Sequence, residues 1–213
     1  LLKEVEKVEG IERIRFMTSH PKDLSQELID VMASSKKICK QLHLPMQSGS
    51  SRILKAMNRH YTKEQYLELA ARIKEAIPDI SLSTDIIVGF PGETPEEFEE
   101  TCAFVKKVDF YEVHVFKYSK RNGTVAASMP DQIQESVKAE RSGILMELAE
   151  KQKKEFIQYY EGKKVSVLFE EPVEVDGVRY FEGLTPEYVK VWVPTEENLA
   201  NRIMKVEFFP YLY

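Results

Sequence analysis

The stretch SLSTDIIVGFPGETPEEF, residues 81–98, decides the fold. Its first half is an apolar run stopped by Gly89, Pro91 and Gly92. Its second half opens a helix on Thr94, with Pro95 at the first helical position and Glu97 placed to close a capping box. The order is strand, loop, helix. In a parallel α/β layout, ligands sit at the loop after a strand's C-terminal end, and the glycines here let backbone approach a ligand closely.

The same alternation extends to both sides. Residues 11–17 alternate as a strand does, and residues 19–25 open a helix to about Ser34 with Leu24, Leu28, Ile29 and Met32 on one face. A short strand over residues 39–44, a loop over 45–51 and a short helix over 52–58 come next. Thr62 and Gln65 then cap a helix to about Ala76. Strands over 80–88 and 113–118 flank a helix over 95–108, so four strands alternating with helices predict a parallel sheet of βαβ units. A long helix follows Met129, with Asp131 and Gln134 as candidate caps and Ile133, Val137, Ile144, Leu145, Leu148, Phe156 and Ile157 at helical spacing. From Lys163 the period becomes two, and Asp176-Gly177 reads as a hairpin turn. Residues 1–160 therefore read as one α/β unit and 161–213 as a small β-barrel with its closing strand in question. Four βα units are half of an eight-stranded barrel, which predicts a chain truncated at its N-terminus. A small doubly wound domain is the alternative.

The 213 residues carry a net charge of −5 and 43% apolar side chains, an ordinary balance for a globular chain with a sizeable core. No run of about eighteen apolar residues and no signal peptide is present, so the expected location is the cytoplasm, away from membranes. Cys39 and Cys102 stand far apart and outside any CxxC or CxxxCxxC grouping, so both read as structural thiols.

Three strand exits carry polar groups. In HLPMQSGS, residues 43–50, Gln47, Ser48 and Ser50 surround Gly49 and suit a polar ligand. Arg59, twelve residues after Gln47, is a bidentate grip for a carboxylate or a surface partner of Glu64. Asp85 offers an acceptor for ribose hydroxyls or an amino group, and an acid in an apolar strand demands a partner. His43, between leucines, reads more readily as a hydrogen-bonded core residue than as a ligand contact. The third exit, residues 116–124, is dense in hydrogen-bonding and cationic side chains.

The runs HLPMQSGSSRILKAMNRHYT, DIIVGFPGETPEEFEET and FKYSKRNGTVAA resemble the second half of the barrel in the radical S-adenosylmethionine methylthiotransferases, and the β tail resembles their appended TRAM domain. The resemblance covers nearly the whole chain. It implies half of a (β/α) TIM-type barrel, a small all-β TRAM barrel, and insertion of a methylthio group into a modified adenosine beside a tRNA anticodon, or into a ribosomal protein. It implies S-adenosylmethionine and two 4Fe-4S clusters as cofactors, with the clusters' cysteines upstream of Leu1 and the chain alone inactive. Carried over, Gln47, Ser48, Gly49, Arg59, Asp85, Gly89 and Gly92 would bind S-adenosylmethionine, and Tyr118, Ser119, Lys120, Arg121, Tyr188 and Lys190 would meet the tRNA. An oxygen-independent coproporphyrinogen oxidase and a non-catalytic RNA-binding or docking module are the alternatives.

The branch signals conflict. RIRFMTSHPKD, residues 13–23, is similar to enzymes acting on isopentenyladenosine, whereas EVHVF at 112–116 and GLTPEYVKV at 183–191 are similar to those acting on threonylcarbamoyladenosine. Taking the tail as the part nearer the RNA favours threonylcarbamoyladenosine. Against an RNA role, the tail holds six cations and ten acids. Tyr188 and Trp192 are its candidates for base stacking.

Overall fold

The computed structural model describes residues 1–17 and 21–210. After α1 (Leu2–Glu6), the chain runs through α2 (Gln26–Ser34), β1 (Gln41–His43), α3 (Ser51–Ala56), α4 (Lys63–Ala76), β2 (Ser81–Val88), α5 (Pro95–Val108), β3 (Glu112–Lys117), α6 (Val125–Ser128) and α7 (Glu135–Gln158). Both expected capping boxes form. Thr62 with Gln65 starts α4, and Thr94 with Glu97 starts α5.

The parallel sheet has three strands in the order β1-β2-β3, not four. The alternation over residues 11–17 makes a single parallel bridge, Ile14 to Ile38, because Arg13 and Arg15 are drawn to the β module instead of extending a ladder. Thr18, Ser19 and His20 lie outside the described residues. Leu42, Leu44, Leu82, Ile86 and Val88 face α4 and α5 in one apolar core with Tyr66, Ile73, Phe104 and Val105. No helix among the described residues is long and apolar enough to cross a membrane.

α7 buries Leu145 and Ile157 of its expected apolar stripe but adds charged and polar residues to the buried face. Its buried positions are Lys138, Arg141, Leu145, Ala149, Gln152 and Ile157, while Ile144 is about half exposed. Neither expected cap acts through its side chain. Gln134 is the N-cap residue without such a bond, and Asp131, at φ 56°, accepts Gly92 N–H through its carbonyl.

The β module is one antiparallel sheet in the order β6-β5-β4-β7, formed by β4 (Lys164–Val175), β5 (Val178–Leu184), β6 (Lys190–Pro194) and β7 (Ile203–Glu207). Asp176 and Gly177, at φ 50° and 75°, make the expected left-handed two-residue turn. β6 and β7 do not pair, so among the described residues the sheet does not close. Nor is its core its own: Val165, Val167, Phe169, Phe181 and Phe208 pack with Ile157 and Tyr160 at the end of α7, and with Tyr111. The Leu184–Tyr188 side of the module meets the N-terminal ends of the parallel strands. Ser81 Oγ donates to Glu187 O, Tyr111 OH donates to Tyr188 O, and the Arg13 guanidinium donates to Leu184 O at 2.6 Å and Ser166 O at 2.8 Å.

Burial works against the charged form of Arg13, so these acceptors are what hold it. Replacing Arg13 with Ala removes its bonds to Leu184 O and Ser166 O and costs about 2–3 kcal/mol. Urea unfolding should show that loss, with hydrogen exchange quickening in β5 and β6 ahead of β2.

Candidate functional site

A cleft of about 920 Å³ opens at the C-terminal ends of the parallel strands, at the opposite end of the sheet from the β module. Gln47, Arg59 and Asp85 all line it. Tyr118, Ser119 and Arg121 line the same cleft, together with Lys55, Ile87, Phe90, Phe116, Val125 and Met129.

The loop after β1 reaches the cleft by running along β2. Leu44 N–H donates to Ser83 O, Met46 N–H to Thr84 Oγ1, and Gln47 N–H to Asp85 O, while Gln47 O accepts from Ile87 N–H. Tyr66 OH and Thr84 Oγ1 both donate to Leu44 O, and Tyr61 OH donates to Met46 O. Burial pushes the Tyr61 hydroxyl up to about 12. This ladder holds Gln47 at φ 70°, in the left-handed region that a non-glycine residue adopts at a cost.

Arg59 and Tyr118 line the cleft, and each also keeps one polar atom buried without a partner among the described residues, Nε of the arginine and the tyrosine hydroxyl. Buried donors of this kind are costly unless a ligand meets them. Arg59 does not pair with Glu64, whose Oε2 instead accepts from the Ser51 hydroxyl. Asp85 keeps its side chain partly exposed and sets Oδ2 3.4 Å from His43 Nε2. His43 is thus a hydrogen-bonded residue at the edge of the site, with Nδ1 3.0 Å from Ser83 Oγ.

The other expected contacts build the walls. Ser48 is fully buried and accepts from Ser50 N–H. Gly49 is required by close approach, since a Cβ there would stand 2.6 Å from Thr101 Cα. Gly89 lies at φ 70° against Lys138, and Gly92 gives its carbonyl to Arg52. None of the four lines the cleft, and Lys120 stands beside it over Asn122 and Gly123. Tyr188 and Lys190 are at the far end of the sheet. The Tyr188 ring lies 4.4 Å under the Arg15 guanidinium, and Lys190 pairs with Glu182 at 2.8 Å.

Sequence reasoning missed the residues that fix the rim. Glu93 is buried and accepts Gly89 N–H at 2.7 Å and Arg141 Nη1 at 2.6 Å, and Lys138 Nζ donates to Tyr118 O at 3.0 Å. The available signal was Lys138 and Arg141, one helical turn apart, standing at stripe positions where apolar residues belong. Burial pushes the Glu93 carboxyl above the usual carboxylate range, and its bonds from Gly89 and Arg141 only partly offset that.

Among the described residues, neither cysteine lines the cleft: Cys39 is buried beside Arg15 and Cys102 lies on α5. These residues do not fit an iron–sulfur cluster, whereas the partnerless arginine and tyrosine atoms, with Gln47 and Asp85, fit a polar small molecule.

Below the rim, burial opposes the charged form of Glu97, but bonds from Arg52, Thr94 N–H and Ser50 outweigh it and hold the carboxyl at about 2. A carboxyl depressed from 4.5 in this way stabilises the fold fully above that value and loses its contribution as pH falls towards 2. Because Arg52 is solvent-exposed, the contribution is about 1–2 kcal/mol. Urea midpoints measured from pH 6 to pH 2 should fall more steeply for the native chain than for Glu97→Gln.

The chain matches the sequence model of the Radical SAM superfamily over residues 1–105. It is 50% identical over 206 residues to a tRNA-2-methylthio-N(6)-dimethylallyladenosine synthase of Acetivibrio thermocellus, an alignment covering 97% of this chain and 43% of that protein. It is 60% identical over 150 residues to the enzyme of that name in Caldicellulosiruptor saccharolyticus, covering 70% of this chain and 32% of the other. The chain thus spans less than half the length of the curated relatives it matches. Among solved structures, coproporphyrinogen III oxidase from Escherichia coli, a radical SAM enzyme, aligns with a TM-score of 0.53 at 18% identity over 66% of this chain and 32% of that one, a likeness of fold.

These relatives carry the dimethylallyl name, which favours the isopentenyladenosine alternative over the threonylcarbamoyl preference. That preference rested mainly on residues 183–191, which pack against the N-terminal ends of the sheet, with Tyr188 held by Arg15 and Thr185 Oγ1 accepting from Val189 N–H. Residues 1–105 thus match the Radical SAM superfamily model, in a chain similar over nearly its whole length to a tRNA-2-methylthio-N(6)-dimethylallyladenosine synthase.

Proposed function

We propose that the chain supplies the S-adenosylmethionine-facing half of a tRNA methylthiotransferase that acts on dimethylallyladenosine beside the anticodon. The observation that carries this reading is the convergence of Gln47, Arg59 and Asp85, from three separate loop and strand positions, on one cleft. Arg59 grips the carboxylate of S-adenosylmethionine, and its partnerless Nε is one donor for that bond. Asp85 accepts from the ribose hydroxyls or the amino group, and Gln47 orients the polar edge. Bound cofactors supply the radical chemistry, and this chain's residues bind and orient them.

The substrate nucleoside enters over Tyr118, Ser119 and Arg121. Phe90, Phe116, Val125 and Met129 make the lining beside them apolar, which suits a dimethylallyl group better than a carboxylate-bearing threonylcarbamoyl group. Lys55, Lys117 and Arg121, which line the cleft, and Lys120 beside it are cations placed for the tRNA backbone. Tyr188 and Lys190, engaged within the chain at the far end, contribute to the docking of the β module in this reading.

Calorimetry with S-adenosylmethionine on the full-length enzyme tests the assignment. Arg59→Ala should weaken binding about tenfold to a hundredfold, the value of a hydrogen bond to a charged group. Unchanged affinity would remove Arg59 from the site. For the substrate, nucleoside mass spectrometry of tRNA from a deletion strain should show loss of methylthio-dimethylallyladenosine. Loss of the threonylcarbamoyl analogue alone would overturn the branch.

A further inference from the structure

The inward face of the parallel sheet carries a cluster that the nucleoside reading leaves largely unused. β1, β2 and β3 each contribute one residue, His43, Asp85 and His114, with Asp85 in register with His114 and His43 with Ser83. One ring nitrogen from each histidine and one carboxylate oxygen all lie within 4.8 Å of one another. His43 Nε2 is 3.4 Å from Asp85 Oδ2, and the two imidazole centroids are 5.9 Å apart.

The surroundings orient the rings. Ser83 Oγ lies 3.0 Å from His43 Nδ1, and with the proton on Nδ1 donated to that hydroxyl, Nε2 presents its lone pair to the other two donors. Glu112, whose Oε1 is held by Lys153 at 2.9 Å, sets its Oε2 3.8 Å from His114 Nε2, so a carboxylate also neighbours the third ring. Two imidazoles and a carboxylate on neighbouring strands form a three-donor face with further coordination positions left to the open side, the donor set of first-row divalent ions rather than of magnesium or calcium.

We propose that His43, Asp85 and His114 bind a first-row divalent cation of the zinc or ferrous class across the three parallel strands, beside the cleft that Asp85 also lines. Ligands about 2.0–2.2 Å from a common ion stand roughly 3–4 Å apart, so the widest gap closes by about 1 Å on loading. His114, with 47% of its side chain exposed, has the freedom to make that movement. The proposal stands apart from the S-adenosylmethionine reading except at Asp85, which both use.

Cobalt(II) titrated into the chain and followed by visible absorption is the first probe, and zinc(II) calorimetry the second. The expected result is a ligand-field band saturating at one cobalt per chain, abolished by His114→Ala and His43→Asn and retained by His60→Ala, whose histidine is exposed and outside the cluster. Zinc affinity should fall tenfold or more in the first two variants. Because His114 is exposed, His114→Ala keeps the fold and the test stays decisive even where His43→Asn unfolds. Absence of the band, or equal cobalt and zinc binding by His114→Ala and His60→Ala, overturns the proposal. Arg59→Ala separates the two readings, since it should weaken S-adenosylmethionine and leave the cobalt band intact.

Discussion

The ion pair between Glu93 and Arg141, with side chains 1% and 8% exposed, is the constraint on which the cleft depends. A buried pair of this kind adds little net stability, because desolvation cancels most of the attraction, yet losing one partner strands a charge at a cost of about 3–5 kcal/mol. Its effect is therefore to specify geometry. Glu93 holds Gly89 N–H, Gly89 leaves room for the Lys138 stem, and Lys138 Nζ reaches Tyr118 O, so the exits of β2 and β3 are both referenced to α7. On the other wall, Glu97 ties Ser50 and Arg52 to the start of α5, and Arg52 holds Gly92 O. Two carboxylates four residues apart thus fix two loops, one deep in the core and one at the surface.

The two ends of the parallel sheet serve different purposes. At the C-terminal end Arg59 Nε and the Tyr118 hydroxyl are buried without partners among the described residues, whereas at the N-terminal end Arg13, Ser81 and Tyr111 each bond to the β module. An apolar cluster that runs from Ile157 and Tyr160 into Phe169 and Phe208 makes the module continuous with α7. Tyr188 is engaged in that joint by Arg15 and Tyr111, while Lys190 pairs with Glu182 within the module.

The capped helices α4 and α5, the strand β2 and the Asp176-Gly177 turn were legible because each is dictated by local chemistry: a hydroxyl three residues before a carboxylate or amide, an apolar run, and two residues tolerant of positive φ. The convergence of Gln47, Arg59 and Asp85 was legible from their placement at strand exits. What escaped was tertiary. Alternation over residues 11–17 could not reveal that Arg13 and Arg15 have acceptors some 170 residues away, and apolar spacing along α7 concealed that its inner face is marked by Lys138 and Arg141. Glycines 49, 89 and 92 were singled out for ligand approach, and the structure gives each a backbone reason as well, close packing on Thr101 at Gly49 and positive φ at Gly89 and Gly92, which a residue type alone does not distinguish from ligand approach.

The left-handed backbone at Gln47 has a consequence for recognition. Because ladder bonds on both sides of the residue pin it, its conformational entropy is surrendered when the chain folds and not when a ligand arrives. The backbone at that corner is preorganised, so selectivity there resides in a fixed stereochemical template.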